Sequence, residues 1–392
     1  MSATQPALTS GSVKRSPWRI AAALGLLAVC VAFLAFGMND ESIGKRDYPE
    51  YWAAGQLLVH GGNPYDPEAI LRLERLAGAT RAQPQVSFSP PFAFIWALPL
   101  GLVGSRTGAV LWLLAIVLCL MASTKMLRDM YGTPDSRLHM LGYVFAPVLA
   151  CVMVGQLDIF LLLGIVLFLR FHQDRPFLAG AALLPFSMKP HLLLPFFVVL
   201  LVWSVSRKNY RILFGAFTAL LASSLVVFFA DAYAWTQYAQ MLKVLQPTSL
   251  FVPTLSLSFR LLINPAAGWL QFIPEAACCV WSVWYFWTRR NQWDWKDQGL
   301  LLILVSVICA PYAWFFDEAI VLPAILASLY QRENSGRSLA PFGLVALIAL
   351  FEVMWRVDLT SVFYLWTAPA WLIWYLYATR RTTANTPTPQ LG

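Results

Sequence analysis

Thirteen apolar stretches follow one another along this chain with only short polar turns between most of them: 18–38, 91–104, 107–127, 139–154, 157–171, 176–188, 191–205, 211–230, 266–288, 298–312, 316–330, 340–357 and 360–379. A chain patterned this way has no polar face with which to cover a core in water. Charged residues make up 12% of its 392 residues, against about 25% in soluble domains, and the mean hydropathy is +0.61. The pattern implies an all-α, polytopic integral membrane protein and excludes a soluble enzyme, a secreted scaffold and a nucleic-acid binder. The net charge of +8 does not point to nucleic acid, because the basic residues sit in short runs between apolar stretches, as they do on the cytoplasmic side of membrane proteins.

Those runs set a topology. Residues 170–175, 207–211, 289–296, 332–337 and 380–381 carry the basic residues, and Lys14, Arg15 and Arg19 precede the first stretch. Both termini are thus expected in the cytoplasm, which requires an even number of spans. The stretch 91–104 is short and opens with Pro90-Pro91; read as a re-entrant segment, it leaves about twelve transmembrane helices. Several stretches fall below the ~20 residues a perpendicular span needs, and Pro147, Pro185, Pro190, Pro195 and Pro323 are expected to break some of them. The chain then divides into a cytoplasmic tail 1–17, one transmembrane unit 18–381 and a disordered, Thr/Pro-rich cytoplasmic tail 382–392.

The longest polar stretch, Asn39 to Ser87, holds seven of the 20 acidic residues: Asp40, Glu41, Asp47, Glu50, Asp66, Glu68 and Glu74. Functional residues concentrate in such loops. Pro49 and Glu50 suit the first turn of a short helix that Gly61-Gly62 stops, and Asp66-Pro67-Glu68 opens a second. The second, with Ile70, Leu71, Leu73 and Leu76 against Arg72, Glu74 and Arg75, is amphipathic and expected to lie on the membrane surface. The six cysteines all fall in apolar stretches without a CxxC pair, and the four histidines form no HExxH pattern. No metal site and no cofactor are expected.

The loops opposite the basic runs carry an ordered set of motifs. Asp47-Tyr48-Pro49-Glu50-Tyr51-Trp52-Ala53-Ala54-Gly55 and Gly62-Asn63-Pro64-Tyr65-Asp66-Pro67 come first. Phe88-Ser89-Pro90-Pro91, Gly155-Gln156, Met188-Lys189-Pro190-His191 and Pro311-Tyr312 with Asp317 follow. In this order they resemble glycosyltransferase family 87 over about residues 40–330, with Phe88 where the family has tyrosine and His191 where it has glutamine. The resemblance implies a multi-span GT-C-type enzyme that takes a sugar from a polyprenyl phosphate. Mannosyltransferases and arabinofuranosyltransferases of the cell envelope are among its members. It also implies an inverting reaction with a first-loop aspartate as catalytic base.

Displacement at an anomeric carbon of such a donor requires a base for the acceptor hydroxyl, a partner for the departing phosphate and an apolar groove for the lipid. Asp47, between the first span and a helix, fits the base; the plain alternative is a solvated loop carboxylate. Glu50, one turn on, and Tyr51 are candidates for acceptor or sugar contacts, although Glu50 also suits the helix dipole. Lys189, at a membrane boundary where a lone cation is costly, is the leading phosphate partner against simple snorkelling. His191 and Arg260 are further phosphate candidates. Gln156 is a candidate for sugar hydroxyls against a helix cap, Tyr312 for substrate contact, and Asp317 with Glu318 for sugar hydroxyls or a divalent ion against the plain pull of a helix N-terminus. Tyr48, Trp52 and Tyr65 join Tyr51 as stacking surfaces, against the ordinary interfacial role of Tyr and Trp.

The expected protein is therefore a cell-membrane hexosyltransferase with its active site on the extracytoplasmic side. Its partners are a polyprenyl-phosphate sugar, a lipid or glycan acceptor and membrane lipids. The alternative is a transporter or lipid flippase, which would place ionisable residues near the middle of several spans. A noncatalytic assembly subunit is the third reading.

Overall fold

The computed structural model describes residues 39–133, 135–244, 251–252, 254–355 and 361–380. The expected first span, 18–38, and both tails lie outside these residues. Every regular element among the described residues is helical. The two loop helices stand where the caps put them, after the short α1 (Asp40–Gly44): α2 (Tyr48–Val59) has Pro49 in its first turn, and α3 (Pro67–Leu76) is capped by the Asp66 carboxylate on the Glu68 and Ala69 amides.

Two helices, α4 (Ser105–Tyr131) and α9 (Tyr210–Ala230), are each long and apolar enough to cross a membrane alone. The exposed faces of α9 present Phe214, Phe217, Leu221, Leu225 and Phe229. A run of large apolar side chains pointing outward from a folded body is what a lipid environment accommodates and water does not. The other apolar stretches are built from shorter pieces. Between α4 and α9 lie α5 (Ala146–Val154), α6 (Asp158–Phe171), α7 (Pro176–Ala181) and α8 (Leu194–Ser206). After α9 come α10 (Ala234–Val244), α11 (Leu255–Ile263), α12 (Ile273–Arg289), α13 (Gln298–Cys309), α14 (Leu322–Asn334), α15 (Ala340–Met354) and α16 (Thr367–Thr379).

The five prolines expected to break stretches instead begin elements. Pro147 opens α5, Pro195 opens α8 and Pro323 opens α14, while Pro185 and Pro190 open the 3-10 turns Leu184–Ser187 and Pro190–Leu193. The physical reason is the missing N–H: in a first turn that group has no intrahelical partner to lose. The stretches 191–205, 266–288, 316–330 and 360–379 each become a 3-10 turn followed by a shorter α-helix, and these turns gather at one end of the bundle.

That end is opposite the basic runs. α4 leaves the neighbourhood of Tyr48, whose hydroxyl donates to the Ser105 carbonyl, and ends where the Tyr131 hydroxyl meets the Lys296 carbonyl. At ~1.5 Å per residue the two points are about 40 Å apart. α6, α8 and α14 run the same way, toward Arg170, Arg207 and Arg332 respectively. There His172 faces Asp294 at 3.8 Å, Arg207 donates to the Arg290 carbonyl, Tyr375 donates to the Asp297 carbonyl, and Arg337 donates to the Arg380 carbonyl. Five basic runs scattered through the sequence thus share one end. Trp295, buried against Phe168, Phe196 and Trp203, fills the interior beside it.

The segment 91–104 is not a continuous helix. It forms 3-10 turns at Pro91–Trp96 and Leu100–Leu102. Its entry, with Ser89 donating to the Met188 carbonyl, and its exit, with Val103 accepting from the Trp52 indole, lie at the same end of the bundle. Its turns lie against α2 at a glycine crossing: a Cβ on Gly55 would sit 2.2 Å from the Ala97 carbonyl oxygen, and one on Gly101 2.1 Å from the Gly55 oxygen.

Candidate active site

A cavity of about 1020 Å³ opens at the end opposite the basic runs. Asp47, Glu50, Tyr51, Gln156, Lys189, His191 and Tyr312 all line it. Seven of the thirteen candidate residues, drawn from four segments up to 265 positions apart in the sequence, converge on one space.

Asp47 is the N-cap residue of α2, yet its side chain does not cap the helix. Its backbone N–H donates to the Val154 carbonyl at 2.8 Å, and its carboxylate turns into the cavity. There Oδ2 accepts from Gln156 Nε2 at 2.7 Å and Oδ1 from Gln85 Nε2 at 3.1 Å. Two neutral amides hold the carboxylate in place, and each oxygen keeps a lone pair free for a further proton or donor.

Gln156 owes its place to the residue before it. Gly155 ends α5 with φ +72°, in the left-handed region that glycine enters without penalty. Its carbonyl is fixed by the Trp112 indole N–H at 2.7 Å. The chain turns sharply, and the Gln156 amide becomes a junction: Oε1 accepts from the Tyr51 hydroxyl at 2.8 Å while Nε2 donates to Asp47. Tyr51 therefore acts through its hydroxyl on the amide.

Lys189 is not the lone cation expected. Its ammonium lies 2.9 Å from Asp158 Oδ2 and 2.5 Å from Asp317 Oδ1, with the Phe316 ring 4.9 Å away. Both carboxylates are fully buried. Asp317 also accepts the Trp314 backbone N–H at 2.8 Å. The Gly-Gln, Lys-Pro and Pro-Tyr…Asp segments are thus bound to one another through a single buried charge cluster. Asp317 does not line the cavity; it pairs with Lys189, which does.

Glu318 diverges from its neighbour. It accepts from the Thr367 hydroxyl at 2.6 Å and the Trp371 indole at 2.8 Å, fixing α16. Adjacent residues of a 3-10 turn point about 120° apart, so the two carboxylates do not share a ligand. Among the described residues no group of three or more His, Cys, Asp or Glu side chains is placed to hold a metal ion.

Arg260 is also elsewhere. On α11 it donates to Gln271 Oε1 at 2.8 Å, and Gln271 donates in turn to the Pro311 carbonyl at 2.5 Å. It supports the corner that carries Tyr312 and does not line the cavity. Tyr48, Trp52 and Tyr65 are buried as well, with their polar atoms donated to the carbonyls of Ser105, Val103 and Ser89. The aromatic wall of the cavity is made by Phe88, Tyr238, Tyr312, Trp314 and Phe316, of which Trp314 and Phe316 stand parallel with centroids 6.0 Å apart. His191 packs its ring on Tyr312 at 3.9 Å and keeps Nε2 without a hydrogen-bond partner.

Sequence reasoning missed a support network behind Asp47. Arg81 donates to the carbonyls of Gly44 and Arg46 at 3.2 and 2.8 Å and lies 3.7 Å from Glu74, whose carboxyl accepts the Gln85 backbone N–H. The network fixes the start of α2 and places the Gln85 amide. Burial pushes Glu74 up to about 7. Burial, with the charges of Asp47 and Glu74 added to it, pushes Glu50 up to about 8, so Glu50 carries its proton at neutral pH. Two carboxyls one helical turn apart thus differ in kind: Glu50 is a neutral donor, and Asp47 is an acceptor held by two amides.

The model of glycosyltransferase family 87 matches residues 88–311, more than half of the chain. The chain belongs to this family. It is a glycosyltransferase and a membrane protein, and it acts on a sugar donor and an acceptor. The match runs from the Phe88-Ser89-Pro90-Pro91 segment through the Gly-Gln and Lys-Pro-His motifs to Pro311. Asp47 precedes it, and Tyr312 and Asp317 follow it. No curated protein and no solved structure matches the chain.

Proposed function

We propose that the chain is a GT-C-type hexosyltransferase that moves a sugar, mannose as first assignment, from a polyprenyl phosphate to a hydroxyl of a lipid or glycan, with inversion at the anomeric carbon. The observation that carries this reading is the Asp47 carboxylate, held by two neutral amides on the wall of a large cavity that also has an aromatic face.

In the proposed reaction the acceptor hydroxyl gives its proton to Asp47 as its oxygen bonds to the anomeric carbon. The bond from that carbon to the phosphate oxygen breaks with its electron pair, and the lipid phosphate leaves. One carboxylate suffices for such a single displacement, whereas a retaining glycosidase flanks the sugar with two. Neutral Glu50 donates to a sugar hydroxyl or the phosphate. The aromatic wall of Trp314 and Phe316 supplies the surface for the sugar ring or the lipid. Lys189 approaches the phosphate from the cavity lining while its charge is matched by Asp158 and Asp317, and His191 Nε2 is the unengaged nitrogen beside it. The lipid-linked sugar is substrate, and the reading invokes no cofactor.

The gathering of five basic runs at the far end of the bundle supports placing the cavity on the extracytoplasmic side of the cell membrane. It supports about twelve spans as well, the shorter helices crossing together with their leading turns. The absence of ionisable residues midway along α4 and α9 favours transfer over transport.

The test is Asp47→Asn. Its amide can pair with a flipped Gln85 amide, so folding is preserved, while transfer from a labelled polyprenyl-phosphate sugar in proteoliposomes falls by about 10²–10⁴-fold. Near-normal transfer by that variant removes Asp47 from the chemistry.

A further inference from the structure

A second cavity, of about 480 Å³, lies at the basic end of the bundle, far from the candidate active site. Arg207, Lys208 and Arg211 line it together with Pro176, Trp203 and Trp293. Three cations thus face one space between two tryptophans. No ion pair among the described residues includes Arg207, Lys208 or Arg211; Asp174 pairs with Arg170, and Asp294 faces His172. Arg207 is aimed by a bond to the Arg290 carbonyl.

The turn that presents these side chains is conformationally costly. Lys208 has φ +53°, making it the one non-glycine residue with positive φ among the described residues. Its N–H donates to the Val205 carbonyl at 3.1 Å, and that of Asn209 to Ser204 at 2.8 Å, closing the end of α8 in the left-handed way that ordinarily falls to glycine. A lysine there is strained where glycine would not be, and such outliers concentrate where a side chain is needed for function. The 21-residue α9 starts immediately afterwards with no side-chain cap on its first amides, adding the positive end of its dipole.

The surroundings indicate what kind of anion fits. Phe177 and Phe214, one residue and three residues beyond the lining positions Pro176 and Arg211, are exposed and packed on each other at 5.9 Å. The helices bearing them cross so closely that a Cβ on Gly180 or Gly215 would strike the other backbone, so the apolar surface below the cations is firm. A phosphate in the cavity would have its alkyl chains directed along that surface. Basic pockets at the ends of membrane helices hold anionic lipid headgroups on this principle.

We propose that this cavity is a binding site for the phosphodiester headgroup of an anionic glycerophospholipid, held by Arg207, Lys208 and Arg211 with its acyl chains on the Phe177–Phe214 surface. The site belongs to the leaflet at the basic end and does not depend on the transferase reading.

The experiment is a lipid titration of the full chain in neutral detergent, followed by native mass spectrometry, with phosphatidylglycerol, phosphatidylcholine and inorganic phosphate as separate probes. The wild type should retain phosphatidylglycerol over phosphatidylcholine. Arg207→Gln with Arg211→Gln and Lys208→Gly should weaken phosphatidylglycerol on the order of 100-fold, given three cations lost near an anionic headgroup. Lys208→Gly alone should weaken it about fivefold while holding or raising the melting temperature, which separates lost binding from lost folding. Lys125→Gln with Arg137→Gln, charges at the same end outside the cavity, should leave it unchanged. Equal binding of phosphatidylglycerol by wild type and triple variant overturns the site. Inorganic phosphate displacing the lipid at equal concentration overturns the lipid as its occupant. An equal loss in the Lys125/Arg137 variant reduces the effect to general charge and overturns it too.

Discussion

Removing the Lys189 ammonium should cost the fold more than it costs any ligand. The side chain is 12% exposed, and Asp158 and Asp317, which it holds at 2.9 and 2.5 Å, are fully buried. Lys189→Ala leaves two carboxylates facing each other without a cation, and breaking one partner from a buried charge cluster costs about 3–5 kcal/mol. For a chain of this length that lowers the melting temperature by roughly 5 °C. Replacing all three charges at once, with Lys189→Met, Asp158→Asn and Asp317→Asn, strands nothing and should recover most of the loss, since a buried ion cluster is commonly neutral against well-packed uncharged substitutes. The assay is thermal unfolding of the purified protein in detergent, with labelled-sugar transfer measured in parallel. A single variant that melts within 1 °C of wild type yet fails to bind donor would refute the argument and return Lys189 to a purely ligand-binding role. A triple variant that melts as low as the single one would refute it as well.

The remaining predictions concern the same wall of the cavity. Glu50 and Glu74, pushed up to about 8 and about 7 mainly by burial, hold protons in the folded protein that the unfolded chain releases above pH 4.5. Stability should therefore fall as pH rises from about 5 to 8, and Glu50→Gln should flatten that decline in a melting-temperature series; a wild-type curve that rises over the window contradicts it. Gly155→Ala places a side chain at φ +72°, where the left-handed conformation costs about 1–2 kcal/mol. Because Gln156 follows directly, transfer should drop further than stability does, and a variant losing stability alone would show that the turn does not aim the amide.

Much of this arrangement was legible in the sequence, and the rest was hidden for definable reasons. The loop helices were readable because a proline in the first turn and an aspartate cap act locally, within three or four residues. The gathering of basic runs was readable because basic and charge-poor loops alternate along the chain. The cluster of Asp158 and Asp317 is hidden in the sequence, since nothing in the spacing of 31 and 128 positions from Lys189 announces that they share one ammonium. Arg81 and Gln85 left no signal at all: polar residues in a polar loop have no periodicity to betray which of them turns inward. Glu74 misled, because its place on the charged side of α3 reads as outward-facing, whereas it is buried. Arg260 misled because an arginine in an outer loop looks available, whereas its side chain here is committed to Gln271. Tyr48, Trp52 and Tyr65 misled for a related reason, their hydroxyl and indole groups being spent on backbone carbonyls.

The glycine crossing of α2 with the 91–104 segment has a mechanical consequence. Where two main chains touch with no side chain between them, there is nothing to compress and no rotamer to flip, so that wall shifts as a block or stays still. The lipid-linked donor proposed above would nevertheless have to enter and leave. The more lightly packed wall is α10, which rests on the body through tilted ring contacts of Tyr238 with Tyr65 and Trp235 with Phe92, centroids about 5.4 Å apart, and through the Tyr238 hydroxyl on the Phe88 carbonyl, and which buries only Ala234 and Met241. For that donor the α10 side is the expected route, and the carboxylate of Asp47 sits on the half that does not give.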